Sequence, residues 1–156
     1  MKKGVLNYLV IATVAISAVF TSCKKDDIEY GKGKGLLKVN GQEELITGSY
    51  FCLNANGTIR TICFNNKDDR NIVNIATKGQ FEKLTAKSYT TNEIAFVGVA
   101  PVGNLDRGDT DVKDFVMNVS INGKTYDITI IGKTIEFEYE YTFTYKGKIR
   151  VRDCGD

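Results

Sequence analysis

Apolar and polar residues alternate with a period of two along much of the chain beyond residue 35. The clearest run lies near the C-terminus. Ile135, Phe137, Tyr139, Tyr141, Phe143 and Tyr145 alternate with Glu136, Glu138, Glu140, Thr142 and Thr144. Successive side chains of a strand point to opposite faces, so this run predicts one strand with a dry aromatic face and a wet face. Just upstream, Phe115 to Ile121 and Lys124 to Ile131 flank Asn122-Gly123. Asn-Gly is a favoured two-residue hairpin turn because both positions need positive φ. That turn sets Val119 opposite Tyr126, Met117 opposite Ile128 and Phe115 opposite Ile130. Asn118, Ser120, Thr125, Asp127 and Thr129 then share the other face.

The same logic runs through the middle of the chain. Leu36 to Val39 and Gln42 to Ile46 flank Asn40-Gly41 and predict a first hairpin. Tyr50 to Asn54 and Ile59 to Phe64 flank Asn56-Gly57 and predict a second, with Cys52 opposite Thr61. Asn65 to Asn71 is polar and predicts a loop. Ile72 to Ala76, Tyr89 to Thr91 and Ile94 to Ala100 read as strands. Gln80 to Ala86 reads as one helical turn or as a loop anchored by Leu84. Lys146-Gly147-Lys148 turns the chain into a closing strand, Ile149 to Arg152. About nine strands and no long amphipathic helix predict an all-β fold. The expected form is an antiparallel β-sandwich, with a small lipocalin-like barrel as the alternative.

The chain's opening follows a different rule. Lys2 and Lys3 precede an almost wholly apolar run, Val5 to Phe20, that is short for a membrane-spanning helix. A positive flank, a short apolar core and small residues before a cut site mark a signal peptide over residues 1–22. Phe20-Thr21-Ser22-Cys23 resembles the lipobox of bacterial lipoproteins, in the looser form of the Bacteroidota group. Lys24-Lys25-Asp26-Asp27 is similar to the signal that sends such lipoproteins to the outer face of the outer membrane. The resemblance implies that Cys23 becomes the acylated N-terminus, carrying palmitate-type chains, and that the protein sits on the cell outer membrane facing the exterior. Residues 23–34 read as the lipidated Cys and a flexible Lys/Asp/Gly tether, and residues 35–156 as a single β-domain.

Composition narrows the chemistry. Loss of Lys2 and Lys3 with the leader leaves 21 − 2 = 19 basic residues against 19 acidic, so the mature chain is near neutral. A neutral chain has no electrostatic footprint for nucleic acid. It contains no His, which removes the commonest general base and a common metal ligand. Cys52, Cys63 and Cys154 remain once Cys23 is lipidated, an odd number that allows one internal disulfide. A Cys52–Cys63 bridge is the first candidate. Diagonal neighbours across a hairpin sit about 7 Å apart between Cα atoms, so it needs a bulge or a shifted turn. Cys154 paired with either of the others is the alternative, and free packed thiols the third. Two thiols eleven residues apart lack zinc spacing, so no metal and no cofactor are expected.

Three further features invite chemistry. Asn104, Asp106, Asp109, Asp111 and Asp114 make the 103–114 insert oxygen-rich, but without EF-hand spacing. That insert also holds Arg107-Gly108-Asp109, which resembles the integrin-binding tripeptide on three residues only. Glu136, Glu138 and Glu140 form a like-charged stripe that suits an outer strand, where charge blocks unwanted pairing. No nucleophile–base constellation appears, so no catalytic residue is assigned. The leading expectation is a surface lipoprotein whose β-domain binds or scaffolds, with a protein or glycan partner and no catalysis. The alternatives are a small carboxylate-dependent hydrolase and a barrel holding an apolar ligand.

Overall fold

A computed structural model describes residues 31–100 and 111–154. The leader, Cys23, the tripeptide Arg107-Gly108-Asp109 and most of the oxygen-rich insert lie outside the described residues. The strands are β1 (Gly31–Val39), β2 (Gln42–Leu53), β3 (Ile59–Asn65), β4 (Asn71–Phe81), β5 (Lys87–Tyr89) and β6 (Ile94–Val99). They continue with β7 (Val112–Asn122), β8 (Thr125–Thr134), β9 (Glu140–Gly147) and β10 (Arg150–Asp153). No helix occurs among the described residues.

The ten strands form one sheet, ordered β5-β7-β8-β9-β1-β2-β3-β4-β6, with β10 attached to β2. The sheet curls until β6 and β7 approach, and a bridge between Gly98 and Asp111 joins them. The all-β expectation therefore holds in its barrel form, and the two-sheet sandwich is replaced by one sheet closing on itself. A sheet that twists and coils can bury its dry face against itself, which also removes exposed edges.

The inner face carries the core. Leu37, Ile62, Phe64, Val73, Ile75, Met117, Ile128, Ile130, Tyr141, Phe143 and Tyr145 are all buried there. Phe64 lies 4.7 Å from Phe143 and 4.9 Å from Tyr145 between ring centroids. Aromatic pairs at such distances pack the interior with side chains. Among the described residues the core cluster runs from Leu37 to Tyr145.

The first hairpin forms as the sequence predicts: Val39 pairs with Gln42, and Asn40 and Gly41 have φ of 46° and 77°. In the second, Cys52 does face Thr61, but Leu53 faces Ile59 across a bulge and the loop runs over residues 54–58. The β7–β8 hairpin differs in register. Asn122 pairs with Thr125, so the turn residues are Gly123 and Lys124, and Val119 faces Ile128, not Tyr126. Among these residues only Gly123 has positive φ, as a type II′ turn requires. The displacement is two residues, and an even shift leaves every side chain on its expected face.

The long C-terminal alternation is not one strand. Ile135 to Phe137 turn, Glu138 adopts a φ of 55°, and β9 begins only at Glu140. Antiparallel β8 and β9 must be joined by a reversal. The sequence between Lys133 and Lys146 offers no Gly or Pro for it, so five nominal strand residues make the loop. The Tyr139 carbonyl accepts from the Thr134 amide at 2.9 Å, and the Tyr139 amide donates to Thr134 Oγ1 at 3.0 Å, closing it. Ile135 and Phe137 are therefore exposed, and the aromatic core row starts at Tyr141. β9 also pairs on both sides, with β1 and β8, so the glutamates do not guard an outer edge.

Two smaller expectations also change. Gln80 to Ala86 forms the end of β4 and a loop with Leu84 buried, not a helical turn. Gly31 to Lys34, expected in a flexible tether over residues 23–34, belong instead to β1, with Gly33 opposite Gly147. A Cβ on Gly33 would lie 2.2 Å from Tyr145 Oη. This glycine is there for close packing under a ring, not for looseness.

Candidate functional site: a cationic groove where the chain enters the barrel

The cysteines settle one question. Cys52 bonds to Cys154, not to Cys63, with Cα atoms 5.5 Å apart. The Cys52–Cys63 pairing fails because Cys63 sits opposite Tyr50, two residues along from Thr61 on the same face. The bulge that would have brought the pair together falls after Cys52, at Leu53, and does not change that diagonal. Cys63 stays a buried free thiol, and burial pushes its pKa up despite hydrogen bonds with Tyr50 and Asn71. Desolvation disfavours the thiolate, so the side chain behaves as a packed group and not as a nucleophile.

The disulfide fixes β10. Gly31 is the last β1 residue to pair with β2, opposite Ser49, and β2 continues to Leu53. β10 takes over that edge, running parallel to β2 from Arg150 opposite Tyr50 to Asp153 opposite Leu53. The chain thus enters the barrel and closes it at the same end.

The join is held by a small hydrogen-bond cluster. Tyr145 Oη donates to the Lys148 carbonyl at 2.9 Å, and Ser49 Oγ lies 2.7 Å from Tyr145 Oη and 3.1 Å from the same carbonyl. Burial raises the Tyr145 pKa, with the Ser49 hydrogen bond opposing. The Lys148 amide in turn donates to the Lys32 carbonyl at 3.0 Å.

A groove of about 700 Å³ opens beside this cluster. Lys32 comes from β1, Lys124 from the β7–β8 turn, Lys148 from the β9–β10 connection and Arg150 from the adjoining start of β10. Tyr126 and Ile149 supply apolar surface, and Tyr126 meets Phe51 edge-on at 5.6 Å. Among the described residues no carboxylate lines the groove. On the adjoining face Asp127 is paired with Lys146 at 3.5 Å. Four cations from three segments around a half-apolar floor make a site for an anion with an apolar neighbour.

Sequence reasoning missed this groove. The sequence pattern places Lys32 in a loose tether and Lys148 in a turn. Only closure of the barrel brings them beside Lys124.

The other sequence candidates are not assembled into a site. Glu138 holds Lys113 at 2.7 Å at the opposite end of the barrel, and that hydrogen bond lowers its pKa. Glu93 is likewise held low, first by the Thr90 backbone amide and then by Lys87. Both are settled anions, unlike the raised pair a glycosidase acid requires. Asp111 precedes β7 in its bridge to Gly98, and Asp114 lies near the start of β7, where it has a φ of 48° at a bulge. Among the described residues no three acids, Cys or His gather to hold a metal. The chain matches no family model, no curated protein and no solved structure.

Proposed function

We propose that this protein is a surface lipoprotein, a β-barrel head held on the outer membrane through acylated Cys23, which binds or scaffolds and does not catalyse. The carrying observation is the opening segment: a basic flank, a short apolar run and Phe20-Thr21-Ser22-Cys23 followed by Lys24-Lys25-Asp26-Asp27. The geometry of the head supports the reading. Only seven residues separate Cys23 from Gly31, where β1 begins, so the barrel hangs close to its anchor. Several acyl chains on one Cys would make attachment effectively permanent, since each buried CH₂ contributes about 0.8 kcal/mol. A filled interior and low-pKa surface carboxylates suit a head that acts through its surface.

Cys23→Ala is the direct test. The variant is expected to lose its acyl chains and to shift in mobility as the precursor, leader still attached, accumulates, as it should under globomycin. Retention in the membrane with unchanged mobility would overturn the reading. Protease shaving of intact cells then reports exposure, and pull-down from the same cells reports partners.

A further inference from the structure

We propose that the cationic groove at the Gly31 end is a dock for the phosphate-bearing headgroups of the membrane that carries the anchor. This deepens the tethered reading and rests on it.

The first support is position. A fully extended chain covers at most about 3.6 Å per residue, so the link from Cys23 to Gly31 cannot exceed roughly 29 Å. The Gly31 end is therefore the end that reaches the lipid with the least extension of the link. The groove lies at that end, with Lys32 one residue from the entry point.

Chemistry gives the second support. Lys32, Lys124 and Lys148 are exposed, Arg150 stands beside them, and among the described residues no acid lines the groove. The mature chain as a whole is near neutral, so this sign asymmetry is local. Tyr126 and Ile149 are half-buried beside the cations. An aromatic ring with a polar tip and an aliphatic side chain suit the boundary between headgroups and acyl chains.

Magnitudes agree. A Lys or Arg near an anionic leaflet strengthens partitioning roughly fivefold. A short flexible link holds the groove near the surface at an effective concentration on the order of millimolar. The link would thus add to the groove's own affinity and keep the head lying down on its basic end.

The experiment uses the chain from Lys24 to Asp156, without leader or lipid, and co-sedimentation with two vesicles: pure phosphatidylcholine, and the same lipid with 30% phosphatidylglycerol. Retention is expected on the anionic vesicle only, falling steeply between 0.05 and 0.5 M salt as the Debye length shrinks from about 14 Å to about 4 Å. Lys32→Glu/Lys124→Glu/Lys148→Glu is expected to lower retention roughly a hundredfold. A charge-matched control at the other end, Lys38→Glu/Lys67→Glu/Lys133→Glu, should lower it less than tenfold. Equal loss in both variants, equal retention on neutral vesicles, or no retention of the unmodified chain overturns the proposal. The salt dependence needs no mutant, so the test survives a variant that fails to fold. The assay omits the lipid on Cys23, so its failure is distinct from failure of the anchor itself.

Discussion

Cys154→Ser tests the closure of the barrel. The Cys52–Cys154 bond closes a loop of 102 residues in sequence separation, the β10 strand included. In the chain-entropy view, a cross-link spanning about 100 residues removes close to 4.7 kcal/mol of unfolded-state entropy. Part of that loss is regained in the variant. All four residues of β10 are exposed, and β2 is the one strand they pair with. Once uncoupled they can detach, each recovering about 1–2 kcal/mol of backbone entropy less the ladder bonds given up. The net expectation is a loss of about 3–4 kcal/mol, a large fraction of a typical domain's 5–15 kcal/mol. Urea denaturation of the variant against the oxidised chain reads it. The slope should also rise, because the uncrosslinked unfolded chain exposes more surface. Amide exchange should accelerate at Arg150 to Asp153 while the β8–β9 ladder stays protected. A change under 1 kcal/mol, together with a Cys52–Cys63 peptide in a non-reducing digest, would refute the pairing.

Three further outcomes follow from the interior. Tyr141 Oη is buried without a hydrogen-bond partner, so Tyr141→Phe should gain about 1–2 kcal/mol at pH 7 by thermal or chemical denaturation; a loss above 1 kcal/mol contradicts this. Burial also pushes the Tyr141 pKa far above its ordinary 10.0. Its contribution is complete below that unfolded value and is lost as pH rises beyond it, at about 1.4 kcal/mol per pH unit, and stability of Tyr141→Phe measured from pH 9 to 11 should fall less steeply. Tyr145→Phe, by contrast, strips a hydroxyl that serves Ser49 and the Lys148 carbonyl, and should cost about 1–2 kcal/mol. A Ser49→Ala double-mutant cycle should show coupling between the two, and strict additivity would count against the cluster. Phe137 is 51% exposed and Phe143 fully buried, so Phe137→Ser should stay within about 0.5 kcal/mol while Phe143→Ala costs about 3–5 kcal/mol. Comparable costs would restore the single long strand.

Much of the local structure was legible because it depends on near neighbours. The Asn40-Gly41 turn and the buried face of Phe115, Met117 and Val119 follow from period-two alternation and from which residues tolerate positive φ. Even the misjudged β7–β8 register kept those faces, since it was off by an even number. Three things required the closed sheet. The β8–β9 reversal had to be cut from a run whose own alternation argued for strand, because topology demands a turn even where local preference resists one. The partner of Cys52 lies about a hundred residues away, where only barrel closure sets the distance. Gly33 and Lys32 read as loose linker until Tyr145 lies over the glycine and Lys124 and Lys148 come to stand beside the lysine. Alternation fixes which way each side chain points along one strand. It carries no information about which distant strand arrives next to it, and both the disulfide and the cationic groove are made of such arrivals.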